Sequence, residues 1–306
     1  MMRAIVKLSS LDNEFALAHV EIPEISANEM LVKVMAIGVG IQDTYFFPQD
    51  ITYPFVIGIE AAGKVIEVGE DVVNYRVDDR IAFISYNQPK GGTYAQYAAV
   101  SDKSTIILIP KEMDYPIAAA ILMSADAAIK ALNGLDLKTN DMLFVAGASG
   151  AIGTYLIQIA KERGLRVSAS ASLNNQQYMT DLGAEKTVDY RDDDWKDQII
   201  EWSEGKVDGA IAIQPNTTKD CMQVVKDGAT VVTISGDMVN STDSVTVKHL
   251  SHAFNTKKDL NKLYKQVSIG DIKVEIDDNY VLKDSLEALK KVSKRHARGK
   301  TVIKVN

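Results

Sequence analysis

Residues 143–160 constrain the fold more than any other stretch of this chain. Leu143-Phe-Val-Ala146 has no polar residue, Gly147, Gly150 and Gly153 follow at intervals of three, and apolar positions then recur at helical spacing through Ala160. A short apolar run reads as a strand buried on both faces, the glycines as a tight turn, and the remainder as an amphipathic helix. The same rhythm surrounds this unit. Strands are expected at 142–146, 166–169, 186–188, 209–213 and 230–234, and helices at 152–163, 175–182, 195–203, 219–226 and 257–267. Strand and helix alternating through short loops predict an α/β chain with a parallel sheet covered on both faces. The Ala-rich stretch 117–132, opened by Pro116, reads as a helix leading into it.

The glycine spacing matches the dinucleotide fingerprint G-x-G-x-x-G, with Ala148 in place of its first glycine. Such a Rossmann-type turn needs small residues for a physical reason. Gly150 lets backbone approach a pyrophosphate, whose charge meets the free N–H groups at the helix start, and Gly153 lets helix and strand pack closely. Ala148, Ser149, Gly150, Ala151, Ile152 and Gly153 are therefore candidate cofactor contacts. About 20 residues past the glycines, an NAD site carries an Asp or Glu for the ribose 2′-hydroxyl. Residues 167–177 contain no acid, whereas Ser170, Ser172 and Asn175 could hydrogen-bond a 2′-phosphate. The loop also lacks Lys and Arg, so a cation would come from elsewhere, with Arg191 a candidate. NADPH is the expected cofactor.

Residues 1–117 read differently. Short runs rich in Val, Ile and aromatics, such as 31–37, 63–69, 80–84 and 94–100, lie between turns near 24–29, 69–71 and 89–92, as in a partly open antiparallel barrel. The last strands are expected at 272–276 and 301–305, flanking a helix at 282–293. One cysteine, Cys221, among 306 residues rules out an intrachain disulfide and any zinc site with two or more thiolates. With 34 basic and 41 acidic residues the net charge is −7, which disfavours general nucleic-acid binding. The longest apolar stretch, 118–129, is too short to span a bilayer and no export signal is visible, so a cytoplasmic protein is expected.

The order of motifs resembles the medium-chain dehydrogenase/reductase superfamily, in its zinc-free quinone oxidoreductase (zeta-crystallin-like) branch. Tyr53-Pro-Phe-Val-Ile-Gly-Ile-Glu60 through Gly69 is similar to the family segment P-x-x-x-G-x-E-x-x-G-x-V-x-x-V-G. Gly92-Thr-Tyr-Ala-Gln-Tyr97 resembles its G-x-Y-A-E-Y strand, and Leu182-Gly-Ala-Glu185, Val188-Asp-Tyr190 and His296 to Ile303 resemble later stretches of the family. The resemblance implies a Rossmann-type cofactor domain (118–270) and a discontinuous GroES-like β-barrel substrate domain (1–117 and 271–306). Zinc-dependent members hold their metal with an early Cys and the His of a G-H-E motif. Here residues 38–45 contain no Cys and the His position is Ile59, so no metal site is expected.

By the same resemblance, hydride passes from NADPH to a quinone or an α,β-unsaturated aldehyde or ketone. The family's Asn-Pro-x-Asp-Thr-Tyr-like loop corresponds to Gly40-Ile-Gln-Asp-Thr-Tyr45, which makes Tyr45 the substrate-side donor, with Asp43 beside it and Tyr53 a second candidate. Tyr190 joins the cofactor set. Three departures stand out: Gly40 replaces the Asn, Ala127 replaces a Thr with Asp126 next to it, and Gln214-Pro215 replaces a Val-Gly. They suggest a reshaped nicotinamide pocket or weak catalysis. An NADPH-binding sensor and an enoyl-thioester reductase remain alternatives. Residues 243–248 read as an edge strand through which the resemblance implies a homodimer.

Overall fold

The alternating runs of the N-terminal part become eight strands in the computed structural model, which describes residues 1–10, 14–49, 51–85, 90–295 and 297–305. They are β1 (Met2–Lys7), β2 (Phe15–Val20), β3 (Glu29–Gly38), β4 (Phe55–Val56), β5 (Glu60–Val68), β6 (Arg80–Ile84), β7 (Tyr97–Ser101) and β8 (Thr105–Leu108). Helix α1 (Tyr115–Asn133) follows. The alternation then gives β9 (Met142–Ala146), α2 (Ala151–Glu162), β10 (Arg166–Ala171), α3 (Gln176–Leu182), β11 (Lys186–Asp189), α4 (Trp195–Trp202), β12 (Val207–Ala212), α5 (Thr218–Val224), β13 (Val225–Thr233), β14 (Thr246–His249) and α6 (Lys257–Ser268). The chain closes with β15 (Ile276–Val281), α7 (Ser285–Ser293) and β16 (Lys300–Lys304). His296, the first residue of the expected closing motif, lies outside the described residues.

The chain packs as two units, Met1–Met123 with Leu260–Asn306, and Ser124–Asp259. The divisions fall inside α1 and α6 rather than in loops, after Met123 and Asp259, where the resemblance implies 117/118 and 270/271. In the first unit, β2-β1-β4 form a small sheet and β15-β16-β3-β5-β6-β8 a larger one, with β7 also paired to β3. Strand β3 serves two partners along one edge: β7 pairs with residues 29–33 and β16 with residues 36–38, both antiparallel. The core explains why the C-terminal segment belongs here. Leu282, Leu289, Ile303 and Val305 are buried in one cluster with Ile5, Val32, Ile37, Phe83 and Tyr94.

The second unit is a six-stranded sheet in the order β11-β10-β9-β12-β13-β14. Every pairing in it is parallel. Chain order reverses direction between β9 and β12, the switch point at which such sheets bind ligands beyond their strand C-termini. Leu143, Phe144 and Val145 are fully buried, as a central parallel strand requires. Phe144 stacks on Trp195 with ring centroids 5.3 Å apart.

Two expectations are corrected. The strand expected at 272–276 lies at 276–281 instead. The amides of Asp271 and Ile272 donate to the Gln266 carbonyl and close α6, so these residues cap a helix before the chain can extend. Helix α1 is also longer than the 118–129 apolar stretch. It is long and apolar enough to cross a membrane by length and composition, but most of it is buried inside the fold. Its apolar character is that of a core helix.

Candidate active site

The turn after β9 is held by its neighbour. Gly147 sits at φ +78°, a left-handed conformation that favours glycine. The N–H groups of Gly147 and Ala148 both donate to the Ser170 carbonyl on β10, at 3.0 and 2.9 Å. Helix α2 then begins. Its first internal bond is Thr154 N–H to the Gly150 carbonyl at 3.0 Å, so the amides of Ala151, Ile152 and Gly153 have no acceptor within the helix. No acidic residue lies in its first turn. A Cβ on Gly153 would stand 2.1 Å from the Ala148 carbonyl oxygen, so glycine is what allows α2 to lie this close to the turn. A Cβ on Gly150 would meet no heavy atom within 4 Å. Bare amides, a helix start and open space at Gly150 fit an anionic pyrophosphate.

The other expected cofactor residues divide by position. Ser170 is buried, and its Oγ lies 3.4 Å from the Gly147 nitrogen, so its side chain and carbonyl both face the turn. Ser172 and Asn175 meet beyond β10, with Asn175 Nδ2 donating to Ser172 Oγ at 3.1 Å. Ser149 and Ile152 are half-buried. Tyr190, after β11, is exposed, and the Arg191 guanidinium lies 5.2 Å from its ring centroid. Arg191 thus places a cation beside Tyr190. Sequence reasoning overlooked Asp189. Residues 167–177 hold no acid, but the Asp189 carboxylate reaches them from the next strand and accepts the Leu173 N–H at 2.8 Å and the Arg191 N–H at 3.0 Å. The quoted Val188-Asp-Tyr190 motif was the available signal.

In the first unit a 3-10 turn at Ile41–Thr44 carries Asp43, which is fully buried. Its Oδ2 accepts the Gly40 N–H at 2.8 Å and the Tyr94 hydroxyl at 2.9 Å. Burial pushes the Asp43 carboxyl up to about 6, against the opposing effects of the Gly40 bond, the Lys300 charge and the Tyr94 bond. Burial and Asp43 together push the Tyr94 phenol well above its usual range. Lys300 pairs with Glu60 Oε2 at 2.7 Å, both nearly inaccessible, and Glu60 Oε1 accepts the Met123 N–H at 2.6 Å. Asp43 thus anchors its turn from inside. Tyr45, two residues on, is 64% exposed, whereas Tyr53 is half-buried. Tyr94, Glu60 and Lys300 were missed as parts of this network, although each lies in a motif quoted for the family.

Asp126 proves to be committed within its own unit. Its Oδ2 lies 2.6 Å from Lys130 Nζ, one helical turn on, and its Oδ1 accepts the Thr256 hydroxyl. A buried acid with a cation and a hydroxyl donor is a structural pair, so it gives no support to a pocket reshaped by a free carboxylate. Ile59 is buried, and among the described residues no three His, Cys, Asp or Glu side chains converge as a metal site would need.

Comparison with known proteins supplies the family. Residues 26–111 match the alcohol dehydrogenase GroES-like domain, and residues 182–303 match the zinc-binding dehydrogenase family. The chain belongs to the medium-chain dehydrogenase/reductase superfamily, in its quinone oxidoreductase branch. Similar relatives include an NADPH-dependent alkenal/one oxidoreductase of Arabidopsis thaliana, 26% identical over 94% of this chain and 74% of that protein. A quinone oxidoreductase of Sus scrofa is 27% identical over 92% of this chain and 90% of its own length. The solved structure of a Coxiella burnetii quinone oxidoreductase superposes with a TM-score of 0.89 at 24% identity, covering 100% of this chain and 99% of that one. Superfamily membership makes this chain an oxidoreductase with a nicotinamide cofactor.

Proposed function

We propose that this superfamily member transfers hydride from NADPH, without zinc, to a quinone or to the β-carbon of an α,β-unsaturated aldehyde or ketone. The observation that carries the cofactor is the glycine turn, open at Gly150 and free of acid in the first turn of α2. The amides of Ala151, Ile152 and Gly153 would hold the pyrophosphate, and Ser172, Asn175, Tyr190 and Arg191 would bind the 2′-phosphate, the nearby Asp189 carboxylate being engaged by the Leu173 and Arg191 N–H groups. When bound, NADPH supplies the hydride. Tyr45 donates a hydrogen bond to the acceptor's carbonyl oxygen, where negative charge develops, and Asp43 fixes the turn that presents it. Ile59, standing where zinc-dependent members have His, and the lack of a Cys in residues 38–45 support the absence of a metal step. The relatives named above support both acceptor classes.

NADPH oxidation measured against a panel of quinones, enals and enones, with and without a chelator, tests the proposal. Turnover that survives chelation is expected. Saturable binding with no turnover on any acceptor would replace the reductase by a cofactor-binding sensor or structural protein, the reading favoured by Gly40, Ala127 and Gln214-Pro215. We further infer a homodimer through β14, the edge strand whose pairing within the sheet is with β13 alone. Gel filtration at monomer mass would overturn that inference.

A further inference from the structure

Gln214 lies two residues past the end of β12, and the intervening Ile213 N–H donates to the Ala146 carbonyl at the end of β9. This is the switch point between β9 and β12, where the sheet opens at the C-terminal ends of its strands. The Gln214 side chain reaches across to the glycine turn. Its Cγ lies 2.2 Å from the position a Gly147 Cβ would occupy, so the absence of that Cβ lets the two loops approach. The side chain is half-buried, and among the described residues its carboxamide has no hydrogen-bond partner. A half-buried amide at this place is a donor and acceptor within reach of a ligand.

The loop that carries Gln214 is held in place. Asp237, beyond β13, accepts the Asn216 N–H at 2.9 Å with Oδ1, and the Thr218 N–H at 3.2 Å and hydroxyl at 2.8 Å with Oδ2. The Thr218, Thr233 and Ser235 hydroxyls form a chain with spacings of 3.1 and 2.9 Å. Asn216 is held at φ +66°, a conformation that Asn tolerates better than most residues. Burial would raise the Asp237 carboxyl, but these donors outweigh it and keep the group below its usual range. It stays an anion and an acceptor.

We propose that Gln214 is a further cofactor-binding residue, whose carboxamide hydrogen-bonds the ribose–pyrophosphate centre of the dinucleotide, and that Asp237 is the residue that positions it. The inference rests on the glycine turn being the cofactor site. Titration of NADPH and of NADH into the full chain, followed by nicotinamide fluorescence, tests it alongside melting curves. Gln214→Ala is expected to weaken both nucleotides by the same factor, about three- to tenfold for one hydrogen bond, with no change in melting temperature. Gln214→Glu should bind more weakly still, because a carboxylate repels the pyrophosphate; a side chain that only packed on Gly147 would leave Gln214→Ala binding as the unaltered protein does. Asp237→Ala should weaken binding as Gln214→Ala does, and the double variant should be no weaker than Gln214→Ala alone. If the unaltered protein binds and Gln214→Ala binds equally well, the role of Gln214 is overturned and the cofactor site stands. If the unaltered protein binds neither nucleotide, both fall.

Discussion

Asp43 shows how one buried residue can hold a turn from beneath it. Its folded-state pKa of about 6 exceeds its usual 3.8, so the native state holds that proton more tightly than the unfolded chain does. Stability from this group is therefore greatest below the unfolded value. It declines as pH rises from about 4 to about 6, and is level above that, by at most roughly 3 kcal/mol. Asp43→Asn keeps an oxygen for the Gly40 and Tyr94 donors and should remove that decline, as urea unfolding on either side of the window would show. Lys300→Met leaves Glu60 charged and buried, with an expected loss of about 3–5 kcal/mol by the same measurement. Asp43 and Tyr45 were legible as candidates through the resemblance alone. That Asp43 is sealed and Tyr45 exposed was not, because burial depends on Tyr94 and Lys300 arriving from distant parts of the chain. Asp126 carries the opposite lesson. It looked exceptional beside Ala127, and only Lys130 and Thr256 show it to be an internal pair.

At the scale of the element, the strand–turn–helix unit separates two glycines that a sequence pattern treats alike. Gly150→Ala adds a Cβ that meets no heavy atom within 4 Å and should nearly preserve the melting temperature while reducing NADPH affinity more than tenfold, because it fills the space above the bare amides. Gly153→Val drives a side chain into the Ala148 backbone and should lower the melting temperature itself. Calorimetry and NADPH titration of both variants check this contrast. The alternation of β9 to β13 with α2 to α5 could be read from periodicity, since each element there obeys one period over most of its length. The segment 272–276 misled the same reasoning: it alternates as a strand would, but Gln266 draws its first residues into the end of α6. Asp189 escaped notice because a search along the loop after β10 cannot see a side chain entering from β11.

At the scale of the whole molecule, the discontinuous first unit is the main feature. Leu282, Leu289, Ile303 and Val305 come from the C-terminal segment yet share a core with Ile5 and Phe83. A chain ending at Gly270 should therefore lose cooperative folding of the first unit while the parallel sheet of the second retains slow amide exchange. Hydrogen exchange on the truncated chain would show this as protection confined to residues 142–249.

The two partners along one edge of β3 give the chain a timetable. Synthesis delivers β7 early, so residues 29–33 can pair while β16 is still unmade, whereas residues 36–38 have no partner on that edge until β16 is translated. Throughout that interval Glu60 also lacks Lys300, leaving a carboxylate without its cation beside an unfinished edge. The whole second unit can be completed on the ribosome before the first is closed. The two ends of one β3 edge thus come within reach of their partners at different times, and the segment 36–38 stays an open edge in the time between.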